Sequence, residues 1–132
     1  MSHENVNVVR RFFEHFAAGE FEEALALFDD DLVTRRHAPL PDPGTWHGRE
    51  GLRAAATSWM GVFGEYSMKA EEFIDAGERV VVRVLEEGRG TGSGVFVGGT
   101  FWHVYGLRDR KVVTMDWYTT DRQALESVGL RE

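Results

Sequence analysis

Glu86, His103 and Arg36 are the residues of this 132-residue chain whose types and positions best fit acid-base chemistry. Glu86 continues an alternating apolar series of Val80, Val82 and Val84, and alternate residues of a strand share one face. Burial on that face disfavours the charged carboxylate, so we expect the pKa of Glu86 to rise toward neutrality, where a carboxyl group serves as general acid or base. The alternative is a carboxylate that is ion-paired with Arg36 or another basic group.

His103 lies on a later strand, on the same face as Phe101 and Tyr105, where an imidazole could orient or protonate a substrate carbonyl. A structural histidine, bonded to a tyrosine or a backbone carbonyl, is the alternative. If the intervening turn sits at Gly92-Ser93, Glu86 and His103 are not direct cross-strand neighbours, so a ligand or water would have to join them. Arg36 would hold a carboxylate or an enolate, or else lie at the surface.

Metal, nucleotide and nucleophile chemistry find no support in the sequence. The chain has no cysteine, which excludes a disulfide framework, a thiolate zinc site and a cysteine nucleophile. The five histidines show no metal-ligand spacing, and no GxSxG elbow is present. The glycines between Gly88 and Gly99 fit no phosphate-binding loop and are read as part of a bent hairpin. We therefore expect no metal and no cofactor.

Three amphipathic helices are predicted in the first half of the chain. The first carries Val6, Val9, Phe12, Phe13 and Phe16 at helical spacing and ends at Gly19. The second runs from Phe21 to Phe28 and is broken by Asp29–Asp31. A short strand over 32–37 and a proline-rich loop precede the third, which begins near Gly48 and carries Leu52, Ala55, Ala56, Trp59 and Phe63.

The second half of the chain changes to the strand period of two. Strands are predicted near 66–74, 79–89, 95–107 and 111–119, joined by turns into one antiparallel meander, with a short last helix from Asp121. Short amphipathic helices must bury their apolar faces on a sheet. The expected fold is α+β: a cone-shaped roll in which the three N-terminal helices cover the concave face of a curved antiparallel sheet, in a single domain over 1–132.

A hydrophobic pocket beneath the helices is the expected binding site. Strand parity turns two sets of residues inward, Phe101, His103, Tyr105 and Leu107 on one strand and Val113, Met115, Trp117 and Thr119 on the next. We expect the ligand to be a small apolar or carbonyl-bearing molecule, because the chain has 9 Phe, 4 Trp and 3 Tyr to form the wall. The predicted ligand-binding residues are Phe12, Trp46, Phe101, Tyr105, Met115 and Trp117.

The outer face of the sheet is predicted to form a homodimer interface. Its residues are too apolar for a surface left in water, namely Val81, Leu85, Trp102, Val104 and Tyr118. A formal charge of -7 argues against nucleic acid as a partner. The sequence shows no membrane span and no signal peptide, which predicts a soluble, cytoplasmic protein.

The order of these elements, with WHGREGL entering the third helix and LRDRKVV entering the last strand, resembles the nuclear-transport-factor-2-like superfamily, and most closely its SnoaL-like polyketide cyclase branch. The resemblance covers nearly the whole chain and implies a cone-shaped cavity and a homodimer. At the positions where ketosteroid isomerases carry a tyrosine that stabilises the oxyanion and an aspartate that acts as base, this chain has Phe12 and Arg36. Limonene-epoxide hydrolases would match Glu86, but Val84 and Trp117 replace their other two relay residues. SnoaL-type cyclases would place an acid at Trp117.

The predicted function is therefore a small-molecule pocket protein of the SnoaL-like group. If it is an enzyme, it performs cofactor-free isomerisation, cyclisation, dehydration or hydration, in which Glu86 moves a proton while His103 and Arg36 polarise a carbonyl or hold an anionic group. The alternative is a non-catalytic ligand-binding or dimeric interaction module, in which Glu86 and His103 only orient the ligand.

Overall fold

The protein is described here from a computed structural model that covers residues 2–61, 63–90, 94 and 96–130. In chain order the elements are α1 (Ser2–Ala17), α2 (Phe21–Leu25), β1 (Phe28–Arg36), β2 (Gly44–His47), α3 (Gly48–Met60), β3 (Phe63–Ala76), β4 (Arg79–Gly90), β5 (Phe96–Arg108), β6 (Lys111–Tyr118) and α4 (Asp121–Ser127). The predicted turn at Gly92-Ser93 lies outside the described residues. Among the helices that are described, none is long and apolar enough to cross a membrane.

The six strands form one curved sheet in the order β2-β1-β6-β5-β4-β3. The predicted α+β fold is confirmed, and the meander from β3 to β6 is antiparallel as expected. The sheet as a whole is mixed, however, because β1 runs parallel to β6. β2 was not predicted; it occupies the end of the proline-rich segment and pairs antiparallel with the other edge of β1.

Helix α1 packs its apolar stripe into the main core, which also contains the inward residues of β4 and β5. Val8, Val9, Phe12 and Phe13 are buried there. The helix ends as predicted at Gly19, which has φ +76, while the amide of Glu20 donates to the carbonyl of His15 at 2.8 Å. This turn directs the chain into α2, which lies beside α1.

Helix α2 is shorter than predicted, because Phe28 begins β1 rather than ending the helix. Phe28 is fully buried and stands opposite Val112 of β6, so sheet pairing overrides the helical spacing. Asp29–Asp31 consequently lie within β1 and not in a turn.

Two irregularities decide which side chains face the concave side. In β3, the register shifts between Ala70 and Glu72, and in the β5–β6 pair it shifts after Gly106. The second shift makes the inward prediction for Val113 wrong: Val112 is fully buried in the main core, whereas Val113 is only partly buried. Met115 and Trp117, on the other side of the shift, face the predicted way.

Helix α4 covers part of the outer sheet face. Val81 and Val104 are buried there in a second cluster with Ala124 of α4. These two predicted interface residues are therefore covered within the protomer itself. Leu85, Trp102 and Tyr118 keep part of their surface in solvent.

Candidate functional site

A small cavity lies between the concave face of the sheet and helices α1 and α3. Its volume is about 70 Å³, and apolar side chains form nearly all of its wall. Phe12, Phe101, Met115 and Trp117 line it, as the sequence predicted. Four side chains bring polar atoms to the same wall: Trp59, Tyr66, Glu86 and His103.

Glu86 is the buried centre of this polar group. Its side chain is 8% exposed, and one carboxylate oxygen, Oε1, accepts hydrogen bonds from two rings. Trp59 Nε1 donates to Oε1 at 3.0 Å, and the Tyr66 hydroxyl donates to the same oxygen over a short contact. The second oxygen, Oε2, lies 3.5 Å from His103 Nε2, at the outer limit of hydrogen bonding. Oε2 therefore keeps more acceptor capacity than Oε1.

His103 is held between Glu86 and a fully buried tyrosine. Its Nδ1 lies 2.9 Å from the Tyr105 hydroxyl. Burial raises the pKa of Tyr105 well above its usual range, and the nearby Glu86 carboxylate raises it further, so the phenol keeps its proton. If the phenol donates that proton to Nδ1, the ring hydrogen of His103 lies on Nε2, which points toward Glu86.

The pKa of Glu86 lies below its ordinary value, which is opposite to the prediction from sequence. Burial by itself raises this pKa, but His103, Tyr66 and Trp59 favour the charged form and outweigh burial. The pKa of Tyr66 is raised, first by burial and then by the adjacent Glu86 charge. At neutral pH the cavity therefore contains a carboxylate and a protonated phenol.

Arg36 does not line the cavity, although it is buried. Its guanidinium donates to the carbonyl of Ala55 at 2.8 Å and, at longer range, to those of Pro41 and Asp42. The same group lies 4.9 to 5.6 Å from the ring centres of three tryptophans, Trp46, Trp59 and Trp117. Burial lowers the pKa of Arg36, and Asp42 partly offsets this. The structure thus pairs Glu86 with His103 rather than with Arg36.

Two other predicted wall residues also lie outside the cavity lining. Trp46 sits on β2, over the Arg36 guanidinium, and Tyr105 lies behind His103. Each contacts a residue that the prediction had assigned to the site, Arg36 for Trp46 and His103 for Tyr105.

Trp59 and Tyr66 are the polar wall residues that sequence reasoning missed. Trp59 was read only as part of the apolar stripe of α3, and Tyr66 as the start of a strand. Tyr66 stands opposite Gly88, two positions from the Met68–Glu86 pair on the same face. The pairing register between β3 and β4 is the signal that would have shown that Tyr66 lies beside Glu86 on the same face.

A separate polar pocket of about 250 Å³ lies on the outer sheet face. Asp116 points there, because it lies between Met115 and Trp117, which face the cavity, and its carboxylate accepts a hydrogen bond from Arg35 Nε at 2.8 Å. His37 Nε2 lies 2.7 Å from the same Asp116 oxygen, and the His37 ring stacks on Tyr118. Asp116 is therefore not available to the concave cavity. No group of three metal-binding side chains occurs in the part of the chain that is described.

The curved sheet, the helices over its concave side and the cavity between them define the class of protein as a nuclear-transport-factor-2-like fold. More closely, the chain belongs to the SnoaL-like domain family, whose model matches residues 9–115. A search of the curated proteins found no match.

Several solved structures share the fold. A nuclear-transport-factor-2-like protein of unknown function from Burkholderia pseudomallei K96243 is 22% identical, with a TM-score of 0.77 over 96% of this chain and 98% of that one. TerC, co-crystallised with polyporic acid, is 22% identical with a TM-score of 0.77 over 95% and 98%. A protein with a ketosteroid isomerase-like fold from Catenulispora acidiphila DSM 44928, in complex with trimethylamine, is 16% identical with a TM-score of 0.72 over 94% and 93%.

Proposed function

We propose that this protein binds a small, largely apolar ligand that bears a carbonyl oxygen, and catalyses a cofactor-free proton transfer on it. The observation that supports this is the pairing of Glu86 and His103, 3.5 Å apart, in the wall of an otherwise apolar cavity. A carboxylate and an imidazole that face one space can act on two atoms of one ligand.

In this proposal, Glu86 is the base. Oε1 is occupied by the Trp59 and Tyr66 donors, which leaves Oε2 to take a proton from the carbon beside the ligand carbonyl. The electron pair of the broken C–H bond moves onto the carbonyl oxygen, which accepts a hydrogen bond from His103 Nε2–H. Glu86 then returns the proton to another carbon of the same ligand. The net reaction is an isomerisation that consumes no co-reactant.

The lowered pKa of Glu86 restricts the substrate class. A carboxylate of low pKa is always charged at neutral pH, but it is a weak base, and so it suits only an acidified C–H bond. A β,γ-unsaturated ketone has such a bond. Its isomerisation to the conjugated enone gives a direct absorbance signal.

The test uses cyclohex-3-enone, with conversion to cyclohex-2-enone followed by ultraviolet absorbance. Loss of a positioned general base costs about 10²- to 10⁴-fold, so Glu86→Gln should lower kcat/KM by at least about 100-fold. Glu87→Gln is the matched control, because Glu87 neighbours Glu86 but lies on the opposite sheet face, across from Gly98. Equal turnover in the Glu86→Gln variant and the wild type, or none in either, would refute the proposal.

A second candidate is a non-catalytic pocket for a small organic cation. The cavity wall combines the buried Glu86 carboxylate with the rings of Phe12, Trp59, Phe101 and Trp117, and no lysine or arginine lines the described part of it. Aromatic faces with an adjacent carboxylate attract alkylammonium groups. The trimethylamine complex of the Catenulispora acidiphila protein agrees with this chemistry.

Calorimetry with trimethylammonium chloride separates the two candidates. A binding pocket for a cation predicts heat of binding in the wild type that Glu86→Gln abolishes and Glu87→Gln retains, together with no turnover of the enone. Turnover without ammonium binding favours the enzyme.

Homodimerisation through the part of the outer face that α4 leaves uncovered is proposed for either candidate, since it does not depend on what the cavity binds.

A further inference from the structure

A second apolar space lies next to the Glu86 cavity, between α1, α2 and α3. This helix groove has a volume of about 510 Å³, and Phe21, Leu25 and Thr57 are among the residues that line it but not the cavity. Phe21 is 51% exposed, which is unusual for a large apolar side chain, and Thr57 is also exposed. The groove is thus open to solvent and is lined by apolar surface.

The wall between the groove and the cavity is one side chain thick. Five residues line both spaces, namely Phe12, Phe16, Leu52, Ala56 and Met60. Phe16, Ala56 and Met60 are only partly buried, and a methionine side chain changes rotamer easily. These three residues are therefore the least buried part of the wall, and a ligand that spans both spaces would pass between them.

The volumes show why a ligand would need both spaces. The cavity, at about 70 Å³, is roughly half the size of an engineered cavity of about 150 Å³ that takes up benzene. It can hold the carbonyl end of a small cyclic ketone, but it has no room for an extended hydrocarbon chain. The groove alone falls within the range of about 300 to 1,000 Å³ that is typical of small-molecule pockets.

We propose that the helix groove is a binding subsite for the apolar body of the ligand whose carbonyl end reaches Glu86 and His103. This inference rests on the proposed function for the identity of that polar end. The substrate class is then an amphipathic ketone with an extended, uncharged hydrocarbon part. The charges around the groove favour an uncharged hydrocarbon part. Arg53 is the one cation that lines the described groove, and it is already paired with Glu22 at 2.8 Å and with Glu50 at 3.4 Å.

The test measures binding separately from chemistry. The probes are 4-alkylcyclohexanones with methyl, propyl and pentyl chains, saturated ketones that cannot isomerise, and their dissociation constants are measured by calorimetry. Burial of each added methylene in the groove should tighten binding about three- to fourfold. Thr57→Trp, which fills the groove from the exposed face of α3, should abolish this dependence on chain length.

Ser58→Trp is the matched control, because Ser58 is the exposed neighbour of Thr57 and lines neither space. It should retain the wild-type dependence, and thermal unfolding confirms that both variants fold. Affinity that does not change with chain length in the wild type, or a dependence that survives Thr57→Trp, would overturn the proposal. So would a concentration-dependent dimer that Thr57→Trp dissociates, because a second copy would then occupy the groove.

The two proposals fail in different ways. If cyclohex-3-enone turnover depends on Glu86 but the affinity for 4-alkylcyclohexanones does not change with chain length, the proposed function stands and the groove is not a binding subsite. Chain-length dependence that is lost in Thr57→Trp, with no turnover of any enone, would keep the groove and remove the proton transfer.

Discussion

Tyr66→Phe offers the most direct test of how the cavity keeps Glu86 charged. The substitution deletes one oxygen atom, which donates its proton to Glu86 Oε1, and leaves the ring in place. A hydrogen bond to a charged group contributes about 1.5 to 3 kcal/mol. Because the Glu86 side chain is only 8% exposed, solvent does little to replace the lost donor. We therefore expect the free energy of unfolding at pH 7 to fall by about 1.5 to 3 kcal/mol.

The effect should depend on pH in a defined direction. The pKa of folded Glu86 lies below the ordinary value of 4.5, so its carboxylate stabilises the folded state above that value, and this contribution is lost as the pH falls through the folded pKa. Removal of the Tyr66 donor raises the folded pKa and shrinks the contribution. The difference in unfolding free energy between Tyr66→Phe and wild type should be largest at pH 7 and should decrease below about pH 4.

Two measurements check this reasoning. Urea unfolding at several pH values gives the difference in stability, and carboxyl carbon NMR of glutamate-labelled protein follows the titration of Glu86 directly. Tyr118→Phe is the control, because it deletes the same atom on the outer sheet face. If Tyr66→Phe leaves the titration of Glu86 unchanged, or costs the same stability at pH 3 as at pH 7, the three-donor explanation of the lowered pKa is wrong.

Three further predictions concern the framework around the site. Arg36→Met should cost about 2 to 4 kcal/mol in urea unfolding, because it removes a buried cation and leaves carbonyl acceptors without donors; a loss under 1 kcal/mol would contradict this. Gly106→Ala should cost about 1 to 3 kcal/mol, because its Cβ would overlap the Thr114 hydroxyl, and adding Thr114→Ala should restore part of the loss. Trp102→Glu should halve the mass found by sedimentation equilibrium, whereas a wild-type protein that is already monomeric would exclude the proposed dimer.

Strand parity correctly placed Glu86 and His103 on the concave face, and the reason is local. β4 and β5 pair without interruption from Arg79–Gly106 to Arg89–Phe96, so the inward positions follow from the alternation of residues alone. Glu86 stands opposite Gly99, and His103 stands opposite Val82. The sequence therefore indicated that both side chains share the concave face, although it could not show that they approach to 3.5 Å. That contact depends on the curvature of the sheet and on side-chain conformation.

Strand parity cannot be read through an irregularity, and β3 contains one. With the tight turn after Ala76, an uninterrupted register would place Tyr66 opposite Arg89, on the outer face. The shift between Ala70 and Glu72 instead places it opposite Gly88, beside Glu86. A one-residue shift reverses the face of every residue beyond it. No turn residue in the sequence marks this position, which is why Tyr66 was missed.

The sign of the Glu86 pKa shift could not be predicted from β4 alone. The apolar neighbours of Glu86 on β4 correctly indicated burial, and burial does raise the pKa. The opposing contributions come from three other elements, through Trp59 of α3, Tyr66 of β3 and His103 of β5. Such an outcome requires the tertiary structure, because each donor reaches the carboxylate from a different part of the chain.

Arg36 of β1 lies between Trp46 of the edge strand β2 and Trp59, which contacts the charged centre of the cavity. Its guanidinium lies against Trp59, which donates to Glu86, and against Trp117, which faces His103 across the strands. Arg36 stands where the resemblance implied the catalytic aspartate of ketosteroid isomerases, yet its two terminal nitrogens donate to backbone carbonyls, and the residue does not line the cavity. The groups to which we assign the acid-base role therefore lie on the β3–β4–β5 side of the cavity, and Arg36 of β1 contacts them through the tryptophan rings.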